Sequence, residues 1–223
     1  MTDYKTALKK PFTDFKKLAL GLSFSIVAFI LPYLAFGNAM LSSVFSLAAF
    51  LVGLVVTGYY GRVAAETMMN HHGLPEWEDW KDLIMKGAYI TVLTFLYFIP
   101  LIAAVAIVLG FPLPQQSENI DFSTMSSFGL TAVLALTLII SYVMPSAIMA
   151  YLKHDKFKYA FRYKDVFGKL ASKNYFFGWA LSFAYLLLVT LLLSPVPFFG
   201  APISNFIAGV TVMSIMAEAY VSR

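Results

Sequence analysis

Arg62 and Glu66 stand one helical turn apart at the end of a long apolar run, and Glu218 stands at the end of another. Ionisable groups at the margins of apolar helices are the first place to look for function, because burying them is costly. The three could form a charged cluster that lines a vestibule or gates a path. The plainer reading is an i,i+4 ion pair with a snorkelling arginine, plus an acid at a helix end. If the chain has a polar binding site, Arg62, Glu66 and Glu218 mark its edge. His71 and His72, followed by Glu76, Glu78 and Asp79, offer nitrogen and oxygen donors to a divalent metal. Adjacent histidines in a turn point in different directions, however, and nothing fixes three ligands around one point, so no metal is expected. His154 is isolated. The sequence has no H-E-x-x-H, G-x-S-x-G or P-loop, and no carboxylate pair at helical spacing inside an apolar run. The apolar runs themselves offer only hydroxyls and Asn205, so neither catalysis nor a cofactor is expected.

The elements that must carry these residues are membrane-spanning helices. Residues 18–61 and 174–217 are two stretches of 44 residues without a formal charge, and residues 87–152 are interrupted only by Glu118 and Asp121. A bilayer core takes about 20 apolar residues per helix, so each stretch is long enough for two crossings. The expected architecture is all-α and integral to the membrane, with six transmembrane helices arranged as three helical hairpins. Residues 1–223 then form a single membrane domain of three units, 3–70, 74–152 and 155–223. The hairpin tips, near residues 37–38, 112–127 and 195–202, hold none of the sixteen Lys and Arg residues. The positive-inside rule therefore predicts a multi-pass protein of the cell membrane with both termini in the cytoplasm. A composition of 60% hydrophobic and 13% charged residues, with mean hydropathy +0.75, excludes an ordinary soluble domain. The formal charge of +4 does not indicate nucleic acid, since the basic residues flank apolar helices, where anionic lipid headgroups are the nearer counter-charge. The absence of cysteine excludes disulfides and thiolate chemistry. The first apolar stretch reads as a retained crossing rather than a cleaved signal peptide.

Each hairpin follows a short aromatic and charged segment that closes on aromatic-x-x-Leu: Phe15 to Leu18, Trp80 to Leu83 and Phe167 to Leu170. Uneven spacing leaves two readings open, a threefold internal pseudo-repeat or chance recurrence in an aromatic-rich chain. In either case the unit reads as a cytoplasmic interfacial amphipathic helix followed by a hairpin. In the first segment Tyr4, Leu8, Phe12, Phe15 and Leu18 share one arc of a helical wheel. Lys5, Lys9, Lys10, Lys16 and Lys17 take the other side, facing headgroups, with Pro11 as a potential break. In the second, Pro75 suits a first helical position, with Glu76, Glu78 and Asp79 in the first turn and Trp77 and Trp80 at headgroup depth. The third, 155–173, sets Phe157, Phe161 and Phe167 against Lys158, Arg162, Lys169 and Lys173.

The run Gly58-Tyr-Tyr-Gly-Arg62, then Leu74-Pro-Glu-Trp-x-Asp-Trp80 and Gly87, resembles an uncharacterised family of archaeal and bacterial polytopic membrane proteins, domain of unknown function 4013. The opening segment from Leu8 to Phe15 resembles that family's start, so the similarity covers roughly residues 4–100. The resemblance implies a membrane location and a prokaryotic source, and carries no activity or site residues with it.

Pro32, Pro100 and Pro145 fall inside apolar runs, where each removes a backbone hydrogen bond and can kink a helix. Such breaks line sites in some transporters; more commonly they are packing features. Residues 111–127 read as an exposed polar connection. Taken together, the residues favour a non-enzymatic membrane protein that accommodates a lipid or other hydrophobic ligand, or organises membrane protein partners or copies of itself. The alternative is a transporter or channel for a neutral or apolar small solute.

Overall fold

The computed structural model describes residues 3–35, 38–71, 73–108 and 127–222. Polar side chains open four of the helices. Asp3 accepts the Thr6 N–H (3.1 Å) at the start of α1 (Tyr4–Lys9). Asp14 accepts those of Lys16 (2.9 Å) and Lys17 (3.2 Å) at the start of α2 (Phe15–Ile30). Asn38 does the same for Met40 and Leu41 at α3 (Ala39–Met68), and Ser172 for Tyr175 at α7 (Lys173–Leu193). Each cap satisfies backbone donors that a helix start leaves unpaired. The remaining helices are α4 (Trp80–Val108), α5 (Ser127–His154), the short α6 (Tyr163–Leu170) and α8 (Gly200–Val221). The connection expected at 111–127 lies outside the described residues apart from Ser127, which opens α5.

Six of these helices are long and apolar enough to cross a bilayer, which makes the chain a multi-pass membrane protein. Their basic margins gather at one end. There the Tyr4 hydroxyl donates to the Asn174 carbonyl (2.7 Å) and Lys169 Nζ to the Ser222 carbonyl (3.3 Å), so Tyr4 and Ser222 lie at the same end of the helices.

The three segments expected at the interface differ from one another. The first is α1 continued by a 3-10 helix at Lys10–Phe12, and the third is a 3-10 helix at Phe157–Phe161 followed by α6. The second is not helical before Trp80: residues 74–79 form an irregular strap, and Asp79 sits in left-handed backbone (φ 56°). A helix begun at Pro75 would commit the Glu76 and Glu78 carbonyls to its own ladder, and both are taken by Arg62 instead.

At the centre, α8 is the least apolar span and the most sheltered, with 61% of its apolar stretch buried. It carries Ser204, Thr211, Ser214 and Glu218 into the interior. Ser204 and Ser214 donate to carbonyls of their own helix, at Ala201 (2.9 Å) and Val210 (2.8 Å), so these hydroxyls do not depend on another helix for a partner. Helices α1, α2, α3, α5 and α7 all pack on α8. The most extensive contact of α3 is with α4, across the strap, rather than with its tip-connected neighbour α2. Two glycines make that contact. An added methyl on Gly58 would fall on the Leu83 carbonyl, and one on Gly87 would fall on the Leu54 carbonyl. The two backbones therefore touch through a reciprocal pair, the close approach that small residues permit between membrane helices.

Pro100 and Pro145 lie inside α4 and α5, and Pro32 lies in the 3-10 helix (Leu31–Ala35) that ends the first span. Pro145 has no N–H to offer the Ser141 carbonyl four residues back. Trp179 Nε1 donates to that carbonyl from α7 at 3.0 Å, and Tyr175 Oη donates to the neighbouring Tyr142 carbonyl at 2.8 Å. The break in α5 is thereby turned into a contact between helices.

Candidate functional site

Leu74 through Asp79 bring Arg62, Lys17 and Trp77 together at the basic end. Arg62 does not pair with Glu66 as its spacing suggested. Its guanidinium crosses to the strap, where Nη1 donates to the carbonyls of Glu78 (2.7 Å) and Glu76 (3.2 Å), and Nη2 meets Asp82 Oδ2 at 2.9 Å. Lys86 Nζ shares that oxygen at 2.8 Å. A planar fork suits three acceptors placed around it better than a point charge would.

Two of the four lysines expected at the headgroups are held by the protein instead. Lys17 Nζ donates to the Leu74 carbonyl (2.8 Å) and pairs with Glu76 Oε1 (2.7 Å). Lys10 is only 1% exposed, and its Nζ donates to Thr67 Oγ1 (2.6 Å) and to the carbonyls of His71 (2.8 Å) and Val63 (3.4 Å). The physical reason is the place of Lys10 at the edge of the charged arc, one turn from the buried Ala7 and next to the buried Pro11. It points instead at the C-terminal end of α3, whose last carbonyls attract a cation. Lys9 and Lys16 remain exposed.

Trp77 also turns inward. Its ring lies flat on Tyr59 (centroids 3.8 Å apart, planes 3° apart), with Phe206 of α8 beyond at 6.3 Å. Its Nε1 donates to the Lys17 carbonyl at 3.1 Å, and the Tyr59 hydroxyl donates to the Pro75 carbonyl at 3.2 Å. Trp80 keeps an outer position, 45% exposed, with its ring edge-on to Phe24 at 5.7 Å. Of the potential metal donors, His71 is exposed, and His72 lies outside the described residues. The Glu76 carboxylate is committed to Lys17.

The strap is thus a clamp joining α2, α3 and α4, and the three acids and bases first singled out divide around it. Arg62 belongs to the clamp. Glu66 and the buried Glu218 belong with Lys10, whose charge they favour. Burial is the larger influence and lowers the Lys10 amine from 10.5 to about 8; Glu66 and then Glu218 oppose it. Between about pH 8 and 10.5 the unfolded chain binds a proton that the folded chain has released, so stability rises with pH in that window. Below it the burial cost is constant. The stability of the native chain relative to Lys10→Met is expected to increase from pH 8 to 10.5 in thermal unfolding of the detergent-purified protein. A difference flat across that range would mean that Lys10 titrates as an ordinary lysine.

Sequence reasoning did not anticipate a groove between α2, α3 and α8. It has a volume of about 300 Å³ and is lined in part by Ala28, Phe29, Val56 and Pro202. Ser25, Thr57, Tyr60 and Asn205 supply its polar edge, and the Tyr60 hydroxyl donates to the Asn205 carbonyl at 3.2 Å. Through Phe29 and Asn205 it adjoins a second hollow of about 380 Å³ at the α7–α8 tip. Asn205 was the one sequence signal, as an amide within an apolar run.

A family model described as "Protein of unknown function (DUF4013)" matches residues 41–198. The match starts later than the similarity read from the sequence and extends further, from the first turn of α3 to the tip before α8. An uncharacterised protein of Methanocaldococcus jannaschii, MJ1189, is 31% identical over 84 residues, covering 29% of this chain and 30% of that protein. The chain therefore spans under a third of the length of the relative it matches. No solved structure matches the chain.

Proposed function

The chain belongs to the DUF4013 family of proteins of unknown function, and we propose that it is a non-enzymatic protein of the cell membrane that holds a lipid chain or similar apolar ligand between α2, α3 and α8. The observation that carries this reading is the groove itself. Its wall is apolar at Ala28, Phe29, Val56 and Pro202 and gives way to hydroxyl and amide groups, the combination that holds and orients an apolar ligand. A volume of about 300 Å³, adjoining a further 380 Å³, falls within the usual range for small-ligand pockets, about 300–1,000 Å³. A solute moving past Tyr60 toward the basic end would have to displace the stacked rings of Phe206, Tyr59 and Trp77, which favours holding a ligand over conducting one. With the basic margins together at one end, we place that end and both termini in the cytoplasm.

Gly53 provides the test, because it lines the groove and a Cβ added there would meet no atom within 4 Å. Gly53→Trp should fill the groove without disturbing the fold. Apolar molecules that copurify with the full-length protein from native membranes, counted by mass spectrometry, are expected to disappear from this variant. They should persist in Leu188→Trp, a substitution at an exposed position of α7. Equal retention by both variants would remove the groove as the binding site.

A further inference from the structure

A second cleft, built from other elements, lies at the basic end between the first turns of α4 and the 3-10 helix after α5. Its volume is about 510 Å³, and it is lined by Lys86, Lys156 and Lys158 together with Tyr89, Tyr151 and Phe157. The aromatic wall is continuous, with Tyr89 5.8 Å from Tyr151 and 5.6 Å from Phe157. Asp82 and Asp155 also line the cleft, but Asp82 is already met by Arg62 and Lys86. Lys156 and Lys158 are exposed and hold no ion pair among the described residues, so the mouth keeps a surplus of cationic N–H donors.

The same cleft opens onto an apolar track. Met85, Tyr89, Val92 and Leu96 recur at helical spacing along α4, and all four are exposed on the side of a spanning helix. A cationic mouth where a span meets the interface, joined to a lipid-facing apolar stripe, is complementary to an amphiphile with an anionic head and an acyl tail.

We propose that this cleft binds the phosphate of an anionic glycerophospholipid, with Lys156, Lys158 and the free N–H bonds of Lys86 as donors and the acyl chain along the track from Met85 to Leu96. Anionic headgroups are thereby assigned to this face rather than to Lys10 and Lys17, which are held within the protein. The proposal stands apart from the groove between α2, α3 and α8.

The test measures phosphatidylglycerol and phosphatidylcholine binding to the full-length protein in detergent by native mass spectrometry. Lys156→Gln/Lys158→Gln alters two exposed side chains and should leave the fold intact. It is expected to weaken phosphatidylglycerol binding by about fivefold per lysine and to leave phosphatidylcholine binding unchanged. Lys156→Arg/Lys158→Arg should retain binding, as should Lys9→Gln/Lys16→Gln. Equal weakening by the two glutamine pairs would reduce the effect to diffuse surface charge and overturn the site. Excess inorganic phosphate should leave the lipid bound; if it displaces phosphatidylglycerol, the cleft recognises a soluble phosphate and the lipid assignment fails.

Discussion

Replacing Gly58 or Gly87 with alanine is expected to destabilise the protein by about 1–3 kcal/mol, the range for forcing an extra group into a packed interior. The upper part of that range is expected, because the obstacle in each case is a carbonyl of the facing helix, Leu83 or Leu54, rather than a side chain able to rotate away. The glycines provide their own graded controls. Alanine at Gly61 would meet the Ile90 Cδ1 methyl at 2.7 Å, at the end of a flexible side chain, and should cost less. Alanine at Gly53 meets nothing and should be neutral or stabilising, since alanine favours a helix interior over glycine by up to about 1 kcal/mol. Thermal unfolding of the four detergent-purified variants checks the order. If Gly87→Ala proved as stable as Gly53→Ala, the close approach of α3 and α4 would be untenable.

The six spans and the common basic end were legible in the sequence because the bilayer sets helix length and the placement of Lys and Arg marks the boundaries. Which helices pack most closely was not. The sequence divides the chain at its uncharged tips, grouping α2 with α3, whereas the closest partner of α3 is α4. That preference rests on two glycines 29 positions apart. Glycine is common in membrane helices, and a helical wheel does not reveal what an absent side chain allows to approach. Lys10 is a second case. The wheel groups it with Lys9 on the charged side, but it stands at the edge of that arc, and Ala7, Lys10 and Pro11 are buried together. Pro11 was the available sign of a break, but the destination, the end of α3, lies more than fifty residues away in sequence.

The candidate site was legible in its residue types and obscured in its pairings. Arg62, Trp77 and Glu76 were each marked as unusual, yet the wheel offered Arg62 only Glu66 as a neighbour, whereas its partners lie 14 to 20 residues downstream across the strap. Local spacing reads contacts within a helix. A turn that folds back over two helix ends creates contacts of another kind, and the carbonyls it exposes carry no sequence signature. The groove between α2, α3 and α8 was invisible for a related reason: it is a space left between helices, lined largely by residues unremarkable in an apolar run.

Arg62 should therefore control the strap more than any other charged side chain. Arg62→Ala takes the guanidinium from the carbonyls of Glu76 and Glu78, while Asp82 keeps Lys86. The expected cost is about 0.5–1.5 kcal/mol, because both carbonyls are exposed and water can take the place of the guanidinium. Arg62→Lys should fall between alanine and the native residue, since an ammonium can meet Asp82 but cannot span all three acceptors with the geometry of a fork. Glu76 and Glu78 are exposed, so a glutamate-specific protease can report on the strap directly. Cleavage at those two positions is expected to be slow in the native protein, faster in Arg62→Lys and fastest in Arg62→Ala. An Asp82→Asn change should accelerate it less than Arg62→Ala, because it leaves both carbonyl contacts in place. If the Arg62 variants are cut no faster than the native chain, the strap is held by the Tyr59–Trp77 stack and the Lys17 contacts alone, and the guanidinium has no part in closing the α3–α4 turn.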